Sequence, residues 1–401
     1  MNGLEPGDRE ALRRPLEWAV HEETWGAHPG GTDPLDEALT AVADLDPAAG
    51  AAAARERLTR MTVPPGALGE VAEVGVQLCG LAGACPPPLP EPAVVAIFAA
   101  DHGVHARGVT LWPQEVTTQM VANFLAGGAA VNAFAAQVGA EVTVVDVGVA
   151  ADLDPAPGLL SRKVRHGTAD MTAGPAMSRE EARRALVVGV ETARDLVAAG
   201  NGLLVPGDMG IANTTASAAL VAAFTGASAE EVTGRGTGID DATHARKIAV
   251  VAEALARHGL ARSPGEGRTT DPLGVLAAVG GLEHAALAGF LLGAAALRTP
   301  VVLDGVVSGA AALAAAAFAP TASHAWVAGH RSVEPAHTLA LAHLGRTPML
   351  DLGLRVGEGT GALLAAPLVA AAARALAEVA TFDAAGVTGK DEPAPARGGP
   401  P

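Results

Sequence analysis

LLVPGDMGIANTTASAALVAAF, residues 203–224, joins a buried strand to a helix that follows it almost at once. The apolar run at the start predicts the strand, and the Ala, Ser and Thr residues after the glycines predict the helix. Gly207 and Gly210 allow a close approach to the backbone, while Asn213 and Thr214 offer hydrogen-bond donors at the helix start. The segment therefore indicates either an anion-binding strand end or an ordinary capped turn.

The same succession of strand and helix recurs along the chain. Short β-branched runs end in Gly, Asp or His at Val94–Ala99, Glu141–Val147, Leu203–Val205, Val301–Leu303 and Trp326–Val327. Helical patterns separate these runs, over Val116–Val138, Ser178–Ala199, Thr214–Phe224, Asp241–His258 and Glu283–Leu297. This alternation predicts an α/β fold with a doubly wound, mainly parallel sheet. Because ligands of such sheets bind beyond the carboxyl ends of the strands, we expect the polar residues there to share one pocket.

The two chain ends predict a small helical domain. Residues 35–90 are mainly helical in pattern, and residues 361–388 contain an Ala/Leu-rich helix that we expect Pro367 to break. We predict that these two segments pack together beside an α/β domain of residues 91–360. Residues 1–34 are acidic and residues 389–401 are rich in Gly and Pro, so both are predicted to be flexible.

Composition and charge exclude several classes of protein. Of the 401 residues, 49% are hydrophobic and 17% are charged, which excludes a disordered polyelectrolyte. The net charge of −16 argues against binding to nucleic acid or to an anionic membrane, so a phosphate ligand would have to be held by local groups. Half of that charge lies in residues 1–50, which hold eleven acidic and three basic side chains.

Apolar segments and cysteines point to a cytoplasmic protein. The runs Ala285–Leu297 and Ala310–Pro320 are shorter than a membrane span, and the amino terminus lacks the apolar core of a signal peptide. Cys79 and Cys85 match neither a zinc site nor a thioredoxin motif, so we expect both to be reduced.

Two more glycine loops present charged residues. GRGTGIDD, residues 234–241, includes Gly236 and precedes a helix that carries Lys247, an arrangement that suits a phosphate, although a solvated helix face explains Lys247 equally well. RVGEGTGALL, residues 355–364, places Glu358 between two glycines. Apolar neighbours would raise the pKa of Glu358 toward the range of a general base, whereas a surface turn would leave this carboxylate solvated.

Two segments add a possible wall and a possible anion contact. Trp112 and Pro113 follow a predicted strand end and are candidates for one side of a pocket for a flat ligand. His102 and His105 have a spacing compatible with a metal, but no third ligand lies nearby in sequence, so we predict turn or supporting histidines and no metal. Ser332, in GHRSVEP, is either a phosphate contact or an ordinary polar loop residue.

Nine segments in order resemble the nicotinate-nucleotide:dimethylbenzimidazole phosphoribosyltransferase family. They are ADHGV (100–104), PQEVTTQMVANFLAGGAAVN (113–132), GPAMSREEA (174–182), GDMGIANTTASAA (207–219), GRGTGIDD (234–241), VGGLEHAALAG (279–289), PVVLDG (300–305), HRSVEP (330–335) and LGLRVGEGTGALLAAPL (352–368). The resemblance runs from about residue 35 to residue 388. It departs from many family members at Asp208, where they have Glu, and at Ala212, where they have Gly.

The resemblance implies a fold, a reaction and roles for residues. It implies a homodimer in which residues 91–360 bind nucleotide and base, without cofactor or metal. The reaction transfers the phosphoribosyl group of nicotinate mononucleotide to dimethylbenzimidazole, giving α-ribazole phosphate and nicotinate for the lower ligand of cobalamin. Glu358 would be the general base. The implied contacts to ribose phosphate or nicotinate are Asp208, Gly210, Gly236, Lys247 and Ser332, and those to the base are Trp112, Pro113, Met120 and Val356.

Two alternatives stay open at this point. One keeps the chemistry but changes the acceptor to adenine, another benzimidazole or a phenol, because Trp112 and Met120 specify shape and not identity. The other is a non-catalytic nucleotide-binding homologue that has lost turnover through Asp208.

Overall fold

The computed structural model describes residues 32–261 and 271–388. Most of the acidic extension predicted for residues 1–34, and the whole tail predicted for residues 389–401, therefore lie outside the described residues. The first described helix begins at Pro34, where the side chain of Asp33 caps it by accepting a hydrogen bond from the Leu35 N–H at 2.8 Å.

A single parallel sheet forms the centre of the described part. Its strands are β1 Ala93–Ala100, β2 Glu141–Gly148, β3 Leu159–Ser161, β4 Leu203–Met209, β5 Val301–Leu303 and β6 Trp326–Ala328. They lie in the order β3-β2-β1-β4-β5-β6, so the direction of winding reverses between β1 and β4. This order confirms the predicted doubly wound α/β fold, and a crevice opens where the winding reverses. The three-residue strand β3 was not predicted.

Helices cover both faces of the sheet, which explains why β1 is apolar along almost its whole length. In chain order they are α1 Pro34–Ala43, α2 Ala48–Arg60, α3 Gly69–Ala82, α4 Val116–Leu125, α5 Ala130–Val138, α6 Arg179–Ala198, α7 Asn213–Thr225, α8 Ala229–Val232, α9 Asp241–Arg257, α10 Pro272–Val279, α11 Leu282–Ala296, α12 Val306–Phe318, α13 Pro335–Leu344, α14 Thr360–Glu378 and α15 Phe382–Ala385. Two 3₁₀ turns, Gly103–Arg107 and Pro320–Ala325, complete the regular structure of the described residues.

The larger core lies on one face of the sheet, where α6 and α11 pack closely. Gly189 of α6 and Gly289 of α11 make this approach possible, because a Cβ on Gly189 would overlap the carbonyl of Ala286 and one on Gly289 that of Leu186. Helices α3, α4, α5 and α14 contribute to the core on the other face. Helix α1 packs against α6 and α11.

The chain ends meet in a smaller cluster of α2, α3 and α14. The guanidinium of Arg57 donates hydrogen bonds to the carbonyls of Leu376, Ala377 and Val379 at the end of α14. Met61 and Thr381 form an antiparallel bridge beside these contacts. These contacts support the proposed helical domain built from both chain ends, whose exact bounds remain a prediction.

Two predicted helices were wrong in detail. The segment Val116–Val138 forms two helices, because Gly127 takes a left-handed φ of 78° and Asn132 accepts a hydrogen bond from the Ala129 N–H to start α5. Pro367 does not break α14. The proline ring lies on the exposed side, and the loss of one backbone hydrogen bond is outweighed by packing of the buried side.

Two segments of the described residues are long and apolar enough for a membrane span, Val116–Val138 and Thr360–Glu378. The first is interrupted at Gly127, and 61% of the most apolar window of the second is buried within the protein. Core helices of soluble proteins commonly pass the same test, so it is weak evidence for a membrane.

Candidate active site

A cleft with about 690 Å³ of empty space opens at the carboxyl ends of the central strands. Its polar lining comes from five loops, which follow β4, β5, β6, the short helix α8 and helix α13. Eight of the predicted site residues line it: Asp208, Gly210, Asn213, Thr214, Gly236, Ser332, Val356 and Glu358. The structure thus brings together residues from three separate glycine loops, as parallel strands with a common carboxyl edge require.

Glu358 lies in a tightly curled backbone. It has a φ of 64°, and its neighbours Gly357 and Gly359 have φ values of 78° and 91°. A non-glycine residue in this region costs about 1 to 2 kcal/mol, so packing must hold Glu358 there. Its Oε2 accepts a hydrogen bond from the Val131 N–H at 3.3 Å, and its side chain is largely buried. Burial raises the pKa of Glu358, and the nearby charge of Asp304 adds to the rise.

Asp304 anchors the same loop from beneath. This fully buried residue follows β5, and its Oδ1 accepts hydrogen bonds from the N–H groups of Gly361 at 2.8 Å and Ala362 at 3.0 Å. Its Oδ2 accepts a third from Gly359 at 3.2 Å. Three N–H groups at the start of α14 thereby hold one carboxylate, and the helix dipole favours its negative charge. Sequence reasoning did not single out Asp304, although it follows a predicted strand.

Asp208 is the next-to-last residue of β4, in register with Phe98 of β1. Oδ2 accepts a hydrogen bond from the Asn213 amide at 2.9 Å, whereas Oδ1 has no hydrogen-bond partner among the described residues. Burial raises the pKa of Asp208 well above its usual value, and the carboxylates of Asp304, Glu283 and Glu358 raise it further. Burial and the neighbouring carboxylates therefore favour the protonated form of Asp208.

The second glycine loop meets a buried lysine. Lys247 is almost fully buried in α9 and donates a hydrogen bond from Nζ to Oγ1 of Thr214 at 2.7 Å. Burial lowers the pKa of Lys247 to about 8, although the carboxylate of Glu334 opposes that fall. Glu334 also accepts a hydrogen bond from the Gly236 N–H at 2.7 Å. A buried ammonium next to the first turn of α7 is an arrangement that suits a phosphate.

Ser332 is held at the cleft by a neutral histidine. Its backbone N–H donates to Nδ1 of His337 at 3.0 Å. Burial lowers the pKa of His337 to about 3, with the neighbouring His330 adding to the fall, so this ring accepts a hydrogen bond as a neutral imidazole. His330 lines the cleft between Ser332 and Asp304, with its Nε2 3.4 Å from Asp304.

Comparison with known proteins identifies the family. Residues 42–387 match a family model described as a phosphoribosyltransferase. A nicotinate-nucleotide–dimethylbenzimidazole phosphoribosyltransferase of Salinispora tropica is 60% identical over 370 residues, and the match covers 89% of this chain and 100% of the relative. The chain belongs to this phosphoribosyltransferase family.

Other family members agree over the same length. A protein of the same name from Chloroflexus aurantiacus is 52% identical over 358 residues, covering 89% of this chain and 99% of that relative. The crystal structure of CobT from Thermus thermophilus has a TM-score of 0.79 and 52% identity, and covers 84% of this chain and 98% of that one. The relatedness therefore extends over both the sheet and the surrounding helices.

Three residues that the family resemblance assigned to the base do not line the cleft. Trp112 is 50% exposed, and Pro113 is exposed beside it. Met120 is partly buried and packs against the core beneath α4. The same segment does reach the site through Thr117, whose Oγ1 accepts a hydrogen bond from the Ile211 N–H at 3.1 Å. The contacts of Trp112, Pro113 and Met120 with a base therefore stay predictions.

A buried cluster behind the cleft was missed by sequence reasoning, which treated His102 only as a turn or supporting residue. Oε1 of Glu283 lies 2.7 Å from His102 Nε2 and 2.7 Å from His284 Nδ1. Nε2 of His284 in turn lies 2.8 Å from the Ser217 hydroxyl. The three residues are close enough to share a metal ion, but their short mutual contacts equally describe a carboxylate between two histidines. The GLEH sequence at the start of α11 was its only signal.

Proposed function

We propose that this phosphoribosyltransferase moves the phosphoribosyl group of nicotinate mononucleotide to dimethylbenzimidazole, giving α-ribazole phosphate and nicotinate. The observation that carries the proposal is the position of Glu358, a buried carboxylate framed by two left-handed glycines and directed into the cleft. A relative of this name with 60% identity supports the choice of substrates. The product would serve the lower ligand of cobalamin.

Glu358 supplies what the incoming base needs. One benzimidazole nitrogen attacks the anomeric carbon with its lone pair, and the bond to nicotinate breaks with its electrons returning to the pyridinium nitrogen. Since nicotinate leaves from a cationic ring, its departure needs little acid assistance. The attacking benzimidazole becomes cationic and loses its N–H proton to the Glu358 carboxylate, whose raised pKa suits a general base. No cofactor or metal takes part in these steps.

Local groups hold the phosphate in an otherwise acidic protein. Lys247, Thr214 and Gly236 converge within the cleft wall at the first turn of α7. The backbone of this turn and the buried ammonium would fix the phosphate, while Asn213, Gly210 and Ser332 border the ribose and the nicotinate ring. A fixed phosphate keeps the anomeric carbon aligned while one base replaces the other.

The acceptor side is less enclosed than the phosphate side. Val356 lines the cleft but is 51% exposed, and Trp112 is exposed to a similar extent. We propose that Trp112, Pro113 and Met120 complete the base pocket when substrate binds, and that the protein works as a cytoplasmic homodimer. Light scattering at two protein concentrations tests the dimer, because a monomer mass at both would refute it.

The open acceptor side leaves one other function in view, the same transfer to adenine, another benzimidazole or a phenol. A competition assay separates these: the enzyme receives nicotinate mononucleotide and equal concentrations of all four acceptors, and the nucleotide products are separated by chromatography. Predominant α-ribazole phosphate supports the proposal. A different predominant product would reassign the acceptor, and no product with any of them would indicate the non-catalytic homologue.

A further inference from the structure

Four carboxyl groups meet behind and within the cleft, each from a different element. Asp208 is the next-to-last residue of β4, Asp304 follows β5, Glu283 lies in the first turn of α11, and Glu358 lies in the glycine loop. Both carboxylate oxygens of Asp208 lie 3.3 Å from the position that a Cβ on Gly357 would occupy, so Asp208 lies directly beneath the loop of Glu358. Four negative charges this close would repel one another strongly in a buried site.

The four carboxyl groups differ in the partners that surround them. Asp304 accepts three backbone N–H groups, and Glu283 lies between two histidines. Glu358 accepts one N–H from Val131 and lies at the open cleft. Asp208 has one neutral amide on Oδ2 and no partner on Oδ1 among the described residues. Of the four groups, Asp208 is the least compensated.

Glu283 is the fixed charge on the protein side of Asp208. Burial alone would raise its pKa, but the charges and hydrogen bonds of His102 and His284 lower the pKa of Glu283 below its usual value. Burial lowers the pKa of His102, but the charge and the hydrogen bond of Glu283 raise it, so that the pKa of His102 lies above its usual value. Glu283 is therefore ionised at neutral pH. It contacts His284, which contacts the Ser217 hydroxyl. Ser217 donates a hydrogen bond to the carbonyl of Asn213, whose side-chain amide contacts Asp208.

We infer that Asp208 meets the substrate as a neutral carboxylic acid, donating a hydrogen bond from Oδ1 to an oxygen of the nucleotide, and that Glu283 is the positioning residue that keeps it neutral. This inference rests on the proposed function for the identity of the nucleotide. A neutral donor suits this substrate, because an ionised Asp208 would repel its phosphate and its nicotinate carboxylate.

The proton on Asp208 also serves Glu358. When two buried carboxyl groups are close, a proton on one favours the ionised form of the other. Both groups line the cleft and are about equally buried, but three neighbouring carboxylates raise the pKa of Asp208, whereas only Asp304 does so for Glu358. Asp208 takes the proton, and Glu358 remains the base that accepts the proton of benzimidazole.

The groups that face Asp208 define the expected pH dependence. The pKa of Asp208 is raised by the charges of Asp304, Glu283 and Glu358. No cation pairs with Asp208 among the described residues. His330 and His102 lie against the neighbouring loops, and Lys247 contacts Thr214 in the first turn of α7. As pH rises through the raised pKa of Asp208, the donor is lost and a charge appears, so the KM for the nucleotide rises.

The test measures the KM for nicotinate mononucleotide between about pH 5 and about pH 9. Asp208→Asn keeps a donor that cannot ionise, so we expect its KM to rise less than the KM of Asp208→Ala. We also expect the plot of its KM against pH to lose the rise that the ionisation of Asp208 causes. Lys247→Arg removes the separate limb that Lys247 causes near pH 8. Asp195→Asn, a half-buried aspartate on α6, is the matched control and keeps the wild-type profile.

Glu283→Gln tests the positioning role. Loss of the charge behind Asp208 lowers the pKa of Asp208, so the rise in KM moves to lower pH while kcat changes less than the KM does. The inference would be overturned if Asp208→Asn were as impaired as Asp208→Ala. It would also be overturned if the KM of the Lys247→Arg variant, in which Asp208 is intact, did not rise with pH. Should Glu283→Gln not fold, the Asp208 variants alone decide.

These results remain distinct from a failure of the proposed function. If wild-type protein releases no nicotinate, the proposed reaction fails. Calorimetric binding of nicotinate mononucleotide across the same pH range then decides the protonation state of Asp208 without turnover. Weaker binding to wild type as pH rises, absent in Asp208→Asn, supports the inference, and equal pH profiles refute it.

Discussion

The backbone N–H of Val131 donates a hydrogen bond to Oε2 of Glu358 over 3.3 Å. This contact ties the first turn of α5 to the loop between α13 and α14 and leaves the other carboxylate oxygen for the cleft. The break between α4 and α5 therefore has a role in the site, because a continuous helix would place Val131 N–H in its own helical ladder.

Glu358→Gln should lose the base but keep the shape of the loop. We expect kcat to fall on the order of 10²- to 10⁴-fold while binding of nicotinate mononucleotide changes little. Steady-state kinetics and calorimetry measure the two effects separately. Glu56→Gln, an exposed glutamate on α2, is the control with unchanged rate. A Glu358→Gln enzyme of nearly normal rate would exclude Glu358 as the base.

Lys247 should make nucleotide binding sensitive to alkaline pH. Its ammonium is charged below a pKa of about 8 and loses that charge above it, so the KM for nicotinate mononucleotide should rise through this range. Loss of a charged hydrogen bond in Lys247→Met should raise the KM about 10- to 100-fold. Arg257→Met, exposed on the same helix, serves as the control. If both variants bind the nucleotide equally well, Lys247 is not a phosphate ligand.

Asp304→Asn should affect both stability and turnover. An amide has one acceptor oxygen, so its NH₂ would face an N–H group of the glycine loop and leave it without an acceptor. We expect a loss of about 1 to 3 kcal/mol in the free energy of unfolding, measured in urea, and a lower kcat from a displaced Glu358. Asp383→Asn, on exposed α15, should change neither, and an unchanged Asp304→Asn would mean that the loop holds itself.

Ala212 has a left-handed φ of 77° at the start of α7. Replacing it by glycine removes the strain but frees the unfolded chain, so Ala212→Gly should stabilise the protein by about 0.5 to 1 kcal/mol. Ala52→Gly, in the exposed middle of α2, should have the opposite effect by a similar amount. The two unfolding midpoints decide the matter, and a shift of equal sign in both would contradict the strain at Ala212.

Local sequence patterns predicted most of the fold and the residues on the phosphate side of the site. The glycine loops around Gly210, Gly236 and Glu358 are local signals, and the parallel sheet then places them at one edge. The Glu283 cluster was missed because its third member, His102, is far in sequence from Glu283 and His284. The break at Gly127 was missed because apolar periodicity continues across it. The position of Trp112 relative to a bound base depends on contacts that periodicity does not encode.

The proposed transfer itself is tested most directly by mixing purified protein with nicotinate mononucleotide and dimethylbenzimidazole and quantifying both products. We expect nicotinate and α-ribazole phosphate to appear in equal amounts, with neither formed when dimethylbenzimidazole is omitted. Nicotinate released at the same rate without the acceptor would indicate hydrolysis of the nucleotide. The absence of both products would contradict the proposed function.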